Sequence, residues 1–544
     1  LIITVKSFTL RDNFMKFSQS KELCMKVSPF KNEPITDFSK EDAYKKQVNA
    51  LKQVRQKLGQ TYEIVINGES IKTEQTFNSY NPSNKEEIIG TFYKGTKELA
   101  DRAIKEAAAK FETWKDVPAE KRASYLFKAA EICRKKRYDI NAWMILEAGK
   151  NFTEADADTA EAIDFLEFYG REALRYAKEQ PITPVKGEKN KLVYIPLGVG
   201  VAVPPWNFPF AILTGITSAA IVAGNTVVLK PSSDTPMMGK LFNDIMKQAG
   251  LPAGVLNFMP GSGAEVGDTL VAHPLTRFVS FTGSVGVGVH INELAAKVQP
   301  GQIWLKRVVA EMGGKDNIVV DKDLHNFDET VKGVVASAFG FQGQKCSACS
   351  RVIVHSKIYD KFVAKLKEEV EKLDIGPAEE NHKAGPVVNA AAERNILEYI
   401  RIAKEEGAQL LTGGEKADDK GYYIKPTVFI DVKPDATIAQ EEIFGPVLAV
   451  IKADDYNQAL EIANNTKYGL TGAVYAKDKK KLELATKKFH VGNLYLNRKC
   501  TGALVGGHPF GGFNMSGTDS KAGGRDYLML FMQAKVVSDK QISK

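Results

Sequence analysis

The chain changes its hydrophobic rhythm several times. Lys40 to Leu58 sets apolar residues at helical spacing among charged ones, which predicts a charged helix lying as an arm on the body. TYEIVING (61–68) then reads as a strand and a turn. From Lys97 to about Lys178 helical spacing dominates, as in KELADRAIKEAAAKFETW and ADTAEAIDFLEFYGREALRYA. At residues 190–203, NKLVYIPLGVGVAV, the period becomes two and then continuously apolar, so strands are expected. Beyond this point strands and helices alternate: NTVVLKP, a helix from Met237 to Ala249, VLNFMPG, a helix near Ala264–Val271, RFVSFTGS, a helix from Gly286 to Lys297, and RVVAEMGG. A second alternating block runs from IVVD (318–321) to about Tyr495, and AKVVSD predicts a closing strand. Such alternation predicts an α/β fold whose right-handed βαβ crossovers build parallel sheets, the architecture that takes dinucleotides at its strand ends.

One run tests this reading. Phe208 to Leu229 (FPFAILTGITSAAIVAGNTVVL) carries no charge and is long enough to span a bilayer. It also carries Pro209, Gly215, Gly224 and Asn225 and ends in β-branched residues. A buried helix, a turn at Gly224–Asn225 and a buried parallel strand account for it better than a membrane span.

Composition changes this picture little. With 544 residues, 44% hydrophobic and 26% charged, the chain is expected to divide into two or three globular domains. The formal charge of +8 is uneven, since the first 26 residues hold Lys6, Arg11, Lys16, Lys21 and Lys26 against only Asp12 and Glu22. No basic stripe with interleaved aromatics follows, so no nucleic-acid partner is expected. The opening residues lack the apolar core and cleavage site of a signal peptide, and a natural start near Met25 is expected. Five cysteines point to a reducing compartment, with bacterial cytoplasm expected and mitochondrial matrix as the alternative.

The candidate chemistry centres on GFQGQKCSACSR (340–351), where Cys346 and Cys349 form a Cys-x-x-Cys. Zinc would need a second pair of ligands, and the seven histidines are scattered, so no metal is expected. A redox dithiol and a nucleophile with an unrelated neighbour remain. Were 346–355 helical, the two thiols would share a face and could trap each other as a disulfide. A nucleophile finds its helpers elsewhere in the sequence: Glu311 after a strand in AEMGGK, and Asn207 in PPWNFPF. A thiolate would add to an aldehyde, and the alkoxide would be held by the Asn207 amide and the Cys346 N–H. Loss of hydride to a nicotinamide would leave a thioester, hydrolysed by water that Glu311 activates. FTGSVGVG places Gly283 and Ser284 between a strand and a helix, either as a plain turn or as a pyrophosphate seat. PGSGAEVGD (260–268), with Gly263, departs by one residue from the usual dinucleotide fingerprint. Lys230 follows a parallel strand and is by itself an ordinary surface lysine.

Taken in order, PWNFP, FTGS, EMGGK, GQKC and EEIFGPV resemble the motifs of the aldehyde dehydrogenase superfamily, from about residue 60 to 538. The resemblance implies Cys346 as nucleophile, Glu311 as general base and Asn207 as oxyanion donor. It implies an NAD cleft with Lys230 on the adenosine ribose, Glu442 on the nicotinamide ribose and Phe444 beside it. Pro205, Trp206, Ser232, Ser233, Gly263, Phe281, Gly283, Ser284, Met312 and Gly313 would complete that cleft. Cys349 becomes a small buried neighbour without a catalytic role.

GFQGQKCSACSR, NRKCTGALVGGHPFGGF, AEAIDF and WLKRVVAEMGGKD are further similar to the pyrroline-5-carboxylate dehydrogenases. That likeness implies oxidation of an amino-acid aldehyde, glutamate γ-semialdehyde, to glutamate. Lys345, Ser347 and the turn at Gly502 and Ala503 would cradle its α-carboxylate. Phe208 and Phe510 would sandwich its aliphatic middle, and Glu161 would meet its ammonium. Lys345 would also lower the Cys346 thiol pKa. A related enzyme for succinate semialdehyde, and a silent structural relative, are the alternatives. Ser233 stands where many NAD-preferring relatives have Glu, so NADP is expected to be tolerated. Ala503 stands where some relatives have Ser, which removes one hydroxyl contact.

The resemblance also divides the chain into an extension over 1–38, partly disordered, and an NAD-binding domain over 39–310 with an oligomerisation flap near 184–198. A catalytic domain over 311–515 and a C-terminal oligomerisation strand and tail over 516–544 would follow. A homodimer or higher homo-oligomer is implied.

Overall fold

The computed structural model describes residues 27–541, so the basic extension residues and the start near Met25 lie outside the described residues. Residues 27–30 belong to a separate small unit and carry no helix or strand. In the main unit, the run from residue 31 lies on the body. Asn32 Nδ2 donates to Asp164 Oδ2 (2.7 Å), the Glu33 N–H to Asp164 Oδ1 (2.6 Å), and the Thr36 N–H to Asp156 Oδ2 (2.6 Å). The charged arm helix follows as Glu41–Arg55, with Ala43, Ala50, Leu51 and Val54 buried along one face.

Two seven-stranded sheets organise the rest. The first contains β1 (Ile64–Ile66), β2 (Glu69–Ile71), β3 (Val199–Val203), β4 (Thr226–Leu229), β5 (Leu256–Phe258), β6 (Thr276–Thr282) and β7 (Arg307–Glu311). Its order is β7-β6-β3-β4-β5-β1-β2, with β7 through β5 parallel and the β1–β2 hairpin antiparallel at the edge. The uncharged run divides as the sequence predicts: a helix Ala211–Val222, a turn with Gly224 at φ +103°, and β4. Only glycine turns there without a Cβ penalty.

The second sheet contains β8 (Asp316–Val320), β9 (Cys349–His355), β10 (Gln409–Thr412), β11 (Thr427–Ile430), β12 (Val447–Ala453), β13 (Thr471–Tyr475) and β14 (Asn493–Leu496). It runs β10-β11-β12-β9-β8-β13-β14, antiparallel only at β10. Both faces are covered. Ile318, Val320, Val352 and Val354 pack into one core, while Val319 and Ile353 pack into the other.

The condition under which the two thiols would share a face is not met: residues 346–355 are not helical, because Cys349 opens β9, a strand buried on both faces and rich in β-branched residues. Elsewhere Glu188–Pro196 pairs antiparallel with Met532–Lys540. Val193, Val536 and Val537 on that ribbon are exposed.

The long helix Phe152–Tyr176 starts with a capping box between Asn151 and Glu154. It carries Asp158 and Glu161 one turn apart, against the helix Ala211–Val222.

Candidate active site

Three strands of the first sheet end at one edge and deliver Asn207, Lys230 and Glu311 shortly after or at their carboxyl ends. The register pairs Thr282 with Glu311, and the Gly283 N–H donates to the Glu311 carbonyl oxygen (3.0 Å). This is the edge at which parallel sheets bind ligands.

Cys346 reaches the same edge from a tight loop. Phe341 and Gln342 adopt φ +52° and +55°, a left-handed conformation that is costly for a bulky side chain. Several contacts hold the loop in place. The Phe341 N–H donates to Glu154 Oε1 (2.5 Å), Gln342 Nε2 to the Pro386 oxygen (3.0 Å), and the Val388 N–H to Gln344 Oε1 (2.9 Å). Asn207 Nδ2 donates to the Gln344 carbonyl oxygen (3.0 Å), so the amide sits on the cysteine loop itself. The Cys346 N–H donates to no other described residue.

Two cavities meet at Cys346. One, of about 520 Å³, is lined by Pro205, Trp206, Asn207, Lys230, Ser232 and Ser233, by Phe281, Gly283 and Ser284, and by Met312, Gly313, Glu442 and Phe444. The other, of about 110 Å³, is lined by Glu161, Phe208, Glu311, Ser347, Gly502, Ala503 and Phe510. Cys346, Thr282 and Met312 line both. Gly263 lines neither; it opens a π-helical turn, Gly263–Gly267, and it is Gly267 that lies against the Lys230 stem.

The larger cleft fits a dinucleotide. Buried Lys230 hydrogen-bonds only the Pro231 oxygen (3.3 Å) among the described residues, and burial lowers its pKa to about 8. An ammonium so placed lacks partners that ribose hydroxyls would supply. Ser284 caps the helix Val285–Ala296, whose first turn reaches the cleft through Val287. Glu442 Oε1 accepts the Gly314 N–H (2.8 Å), while burial pushes the carboxyl up to about 7. Glu442 lies so close to Gly313 that a Cβ there would strike its carboxylate. Trp206 packs edge-on against Phe444, ring centroids 5.3 Å apart.

The smaller cavity is mostly apolar, with Glu161 in its wall. Burial, then the neighbouring Asp158, pushes the Glu161 carboxyl up to about 8, opposed by Lys150. Opposite it, Arg498 Nη2 donates to the carbonyl oxygens of Thr501 (2.9 Å) and Gly502 (3.1 Å). Trans peptides held by their carbonyls on one side point the Gly502 and Ala503 N–H groups to the other. Neither N–H has a partner among the described residues. Gly502 has φ +80°, as that turn requires.

Glu311 is held by its own network. Its Oε1 accepts the Ser520 hydroxyl and its Oε2 the Gly512 N–H (3.3 Å). Burial nevertheless raises its pKa to about 7. A carboxyl so tuned can accept a proton near neutral pH.

The structure corrects two expectations about Lys345, and Cys349 is the buried neighbour that the resemblance implies. Lys345 lines no part of the smaller cavity. Its ammonium lies where a Cβ on Gly340 would meet it at 3.2 Å, because the turn that aims Cys346 inward aims its neighbour away. Nor is the Cys346 thiol acidified. Burial and the carboxylates of Asp316, Glu442 and Glu311 hold its pKa well above the ordinary value. Cys349 faces the core, where its thiol lies against that of Cys500 rather than Cys346.

Sequence reasoning missed Phe165, Ile212, Ile216 and Tyr527 in the small cavity and Asp234 and Asn395 in the large one. Helical spacing was the available signal for three of them: Phe165 follows Glu161 by four, and Ile212 and Ile216 follow Phe208 at the same step.

The chain is similar to known proteins. The family model described as aldehyde dehydrogenase family matches residues 70–537. The 1-pyrroline-5-carboxylate dehydrogenase of Geobacillus thermodenitrificans is 57% identical over 514 residues, covering 94% of this chain and 99% of its own. That of Bacillus cytotoxicus is 55% identical over the same shares of both chains. The structure of 1-pyrroline-5-carboxylate dehydrogenase from Thermus with bound NAD matches with a TM-score of 0.93 at 49% identity, over 95% of this chain and 100% of that one. Betaine aldehyde dehydrogenase from Staphylococcus aureus in complex with NAD+ matches with a TM-score of 0.85 at 30% identity, over 92% of this chain and 98% of that one. The chain belongs to the aldehyde dehydrogenase family.

Proposed function

We propose that this enzyme oxidises L-glutamate γ-semialdehyde, the open form of pyrroline-5-carboxylate, to L-glutamate in proline degradation. The observation that carries the reading is the small cavity. It joins the Cys346 thiol to a carboxyl, Glu161, and to two free backbone N–H groups, at Gly502 and Ala503. An aldehyde bearing an α-ammonium and an α-carboxylate at its far end matches that set.

Cys346, its thiol proton released to solvent, adds as the thiolate to the aldehyde carbon, and the resulting oxyanion takes hydrogen bonds from Asn207 Nδ2 and the Cys346 N–H. Lys230, Glu442 and the helix start at Ser284 would hold NAD in the large cleft, and the cofactor would supply the two-electron oxidation. Glu311 then orients and deprotonates the water that opens the Cys346 thioester. Phe208 and Phe510 flank the aliphatic chain. The cleft contains Ser233 in place of a carboxylate that would repel a 2′-phosphate, which supports tolerance of NADP.

The two sheets support a cofactor half over 39–310 and a thiol half over 311–515. The exposed ribbon of Glu188–Pro196 with Met532–Lys540, with Val193, Val536 and Val537 open on it, supports assembly as a homodimer or larger. Free thiols at Cys133, Cys346, Cys349 and Cys500 support a reducing compartment, the cytoplasm. No helix among the described residues is long and apolar enough to cross a membrane.

The test is the initial rate of NADH formation with glutamate γ-semialdehyde, succinate semialdehyde and propanal. A higher kcat/KM for the amino-acid aldehyde, abolished in Cys346→Ala, is expected. A preference for succinate semialdehyde would overturn the roles of Glu161 and the 502–503 turn.

A further inference from the structure

Behind the aromatic wall of the small cavity lies a charge that the reaction scheme does not use. Lys150 follows a left-handed Gly149 (φ +70°) just before the long helix. Its side chain is 1% exposed, and its ammonium pairs with Asp158 Oδ2 at 2.7 Å, on a side chain 0% exposed. The same ammonium lies 4.1 Å from the centroid of the Phe208 ring and 4.6 Å from that of Phe341. It lines neither cavity, so it touches neither substrate nor cofactor.

The chain positions of those rings matter. Phe208 directly follows Asn207, and Phe341 starts the left-handed turn that ends in Cys346. Asp158 completes the unit, since its Oδ1 accepts the Ala211 N–H (2.5 Å) and so fixes the start of the helix after Phe208. One buried ion pair thus fastens three segments: the long helix, the Asn207 segment and the Cys346 loop. Apolar side chains would fill the same space without stripping two charges of water. A charged clamp instead gives direction, since a cation is attracted to a ring's face and not its edge.

We propose that Lys150 is a positioning residue, which with Asp158 holds Asn207 and Cys346 in mutual register by clamping Phe208 and Phe341. The proposal rests on the roles given above to Asn207 and Cys346. Displacement of the two segments by a fraction of an ångström would leave NAD binding intact and slow the chemical step.

The test uses the full-length enzyme. Lys150→Met with Asp158→Asn removes both charges, while Asn keeps an acceptor for the Ala211 N–H; Lys150→Arg keeps the cation. Thermal unfolding, NAD affinity, and kcat and KM with glutamate γ-semialdehyde and propanal are measured for each. In the double variant, kcat is expected to fall about 10- to 100-fold for both aldehydes, with NAD affinity unchanged. Lys150→Arg should recover most of the loss. In an Asn207→Ala background the charge-free pair should cost less than about threefold more, because the register it maintains no longer matters. An unchanged kcat in folded double variant, a loss fully additive with Asn207→Ala, or failure of both the double variant and Lys150→Arg to fold would each overturn the proposal. Wild type that is inactive on every aldehyde, or Cys346→Ala that stays active, would instead defeat the reading on which it rests.

Discussion

The two cavities that meet at Cys346 are built by opposite means. The larger is a roomier, less apolar cleft at the carboxyl edge of the first sheet, its residues supplied by strand ends and the turns after them, together with Asn395 and the 442–444 segment. The smaller is a mostly apolar chamber walled by the faces of two helices and closed by the 502–510 segment. The sheet edge places the first, so its position comes with the fold. Side chains wall most of the second, beside the Gly502 and Ala503 N–H groups, so a few substitutions there can change what it accepts. The enzyme therefore reads as a fixed oxidation module joined to an adjustable recognition chamber.

Glu311→Gln would separate the two most sharply. We expect kcat to fall about 10²–10⁴-fold, with a burst of about one equivalent of NADH retained, because acylation does not need the carboxylate. Stopped-flow absorbance checks this. Next in size, Asn207→Ala should lower kcat by about 10²–10³-fold for every aldehyde alike, which steady-state kinetics over the three aldehydes would show.

The pH profile sharpens the comparison further. Glu311 has its pKa raised to about 7, so deacylation should fall as pH drops below that value and the base becomes protonated. The Ser520 hydroxyl favours the ionised form. Ser520→Ala should therefore move this acid limb to higher pH, and an unmoved limb would remove Glu311 from the rate-limiting step.

On the other side of Cys346, Glu161→Gln should cost about tenfold in kcat/KM for glutamate γ-semialdehyde and little for propanal. Because the Glu161 pKa is raised to about 8, the wild-type advantage over the variant should grow between pH 7 and 9 as the carboxyl ionises. The smallest effect is expected at the far end of the large cleft. Ser233→Glu should raise the preference for NAD over NADP by about tenfold through repulsion of the 2′-phosphate. Initial rates with both cofactors would measure it.

The same contrast explains what the sequence could reveal. Strand ends and their glycine turns are local, so PWNFP, FTGS and EMGGK locate most of the cleft, and alternating hydrophobicity yields both sheets. Cys349 was harder, because a short apolar run after a turn suits a helix or a buried strand, and only the pairing of β9 between β8 and β12 decides. Lys345 misled because adjacency in sequence says nothing of direction through a turn with two left-handed residues. Ser520, 209 residues from the carboxylate it serves, and Lys150, 58 residues from the ring it faces, meet their partners only through tertiary packing. Gly263 illustrates the converse, a motif glycine whose neighbour in the turn, Gly267, takes the place beside Lys230.

The account stands on a covalent intermediate at the junction of the two cavities. Glu311→Gln enzyme should be mixed with NAD and glutamate γ-semialdehyde, quenched in acid within the first turnover, and digested for peptide mass spectrometry. A glutamyl thioester on the peptide that contains Cys346, at close to one per active site and absent without NAD, is the predicted result. An unmodified Cys346, or an adduct carried by Cys349 or Cys500, would contradict it.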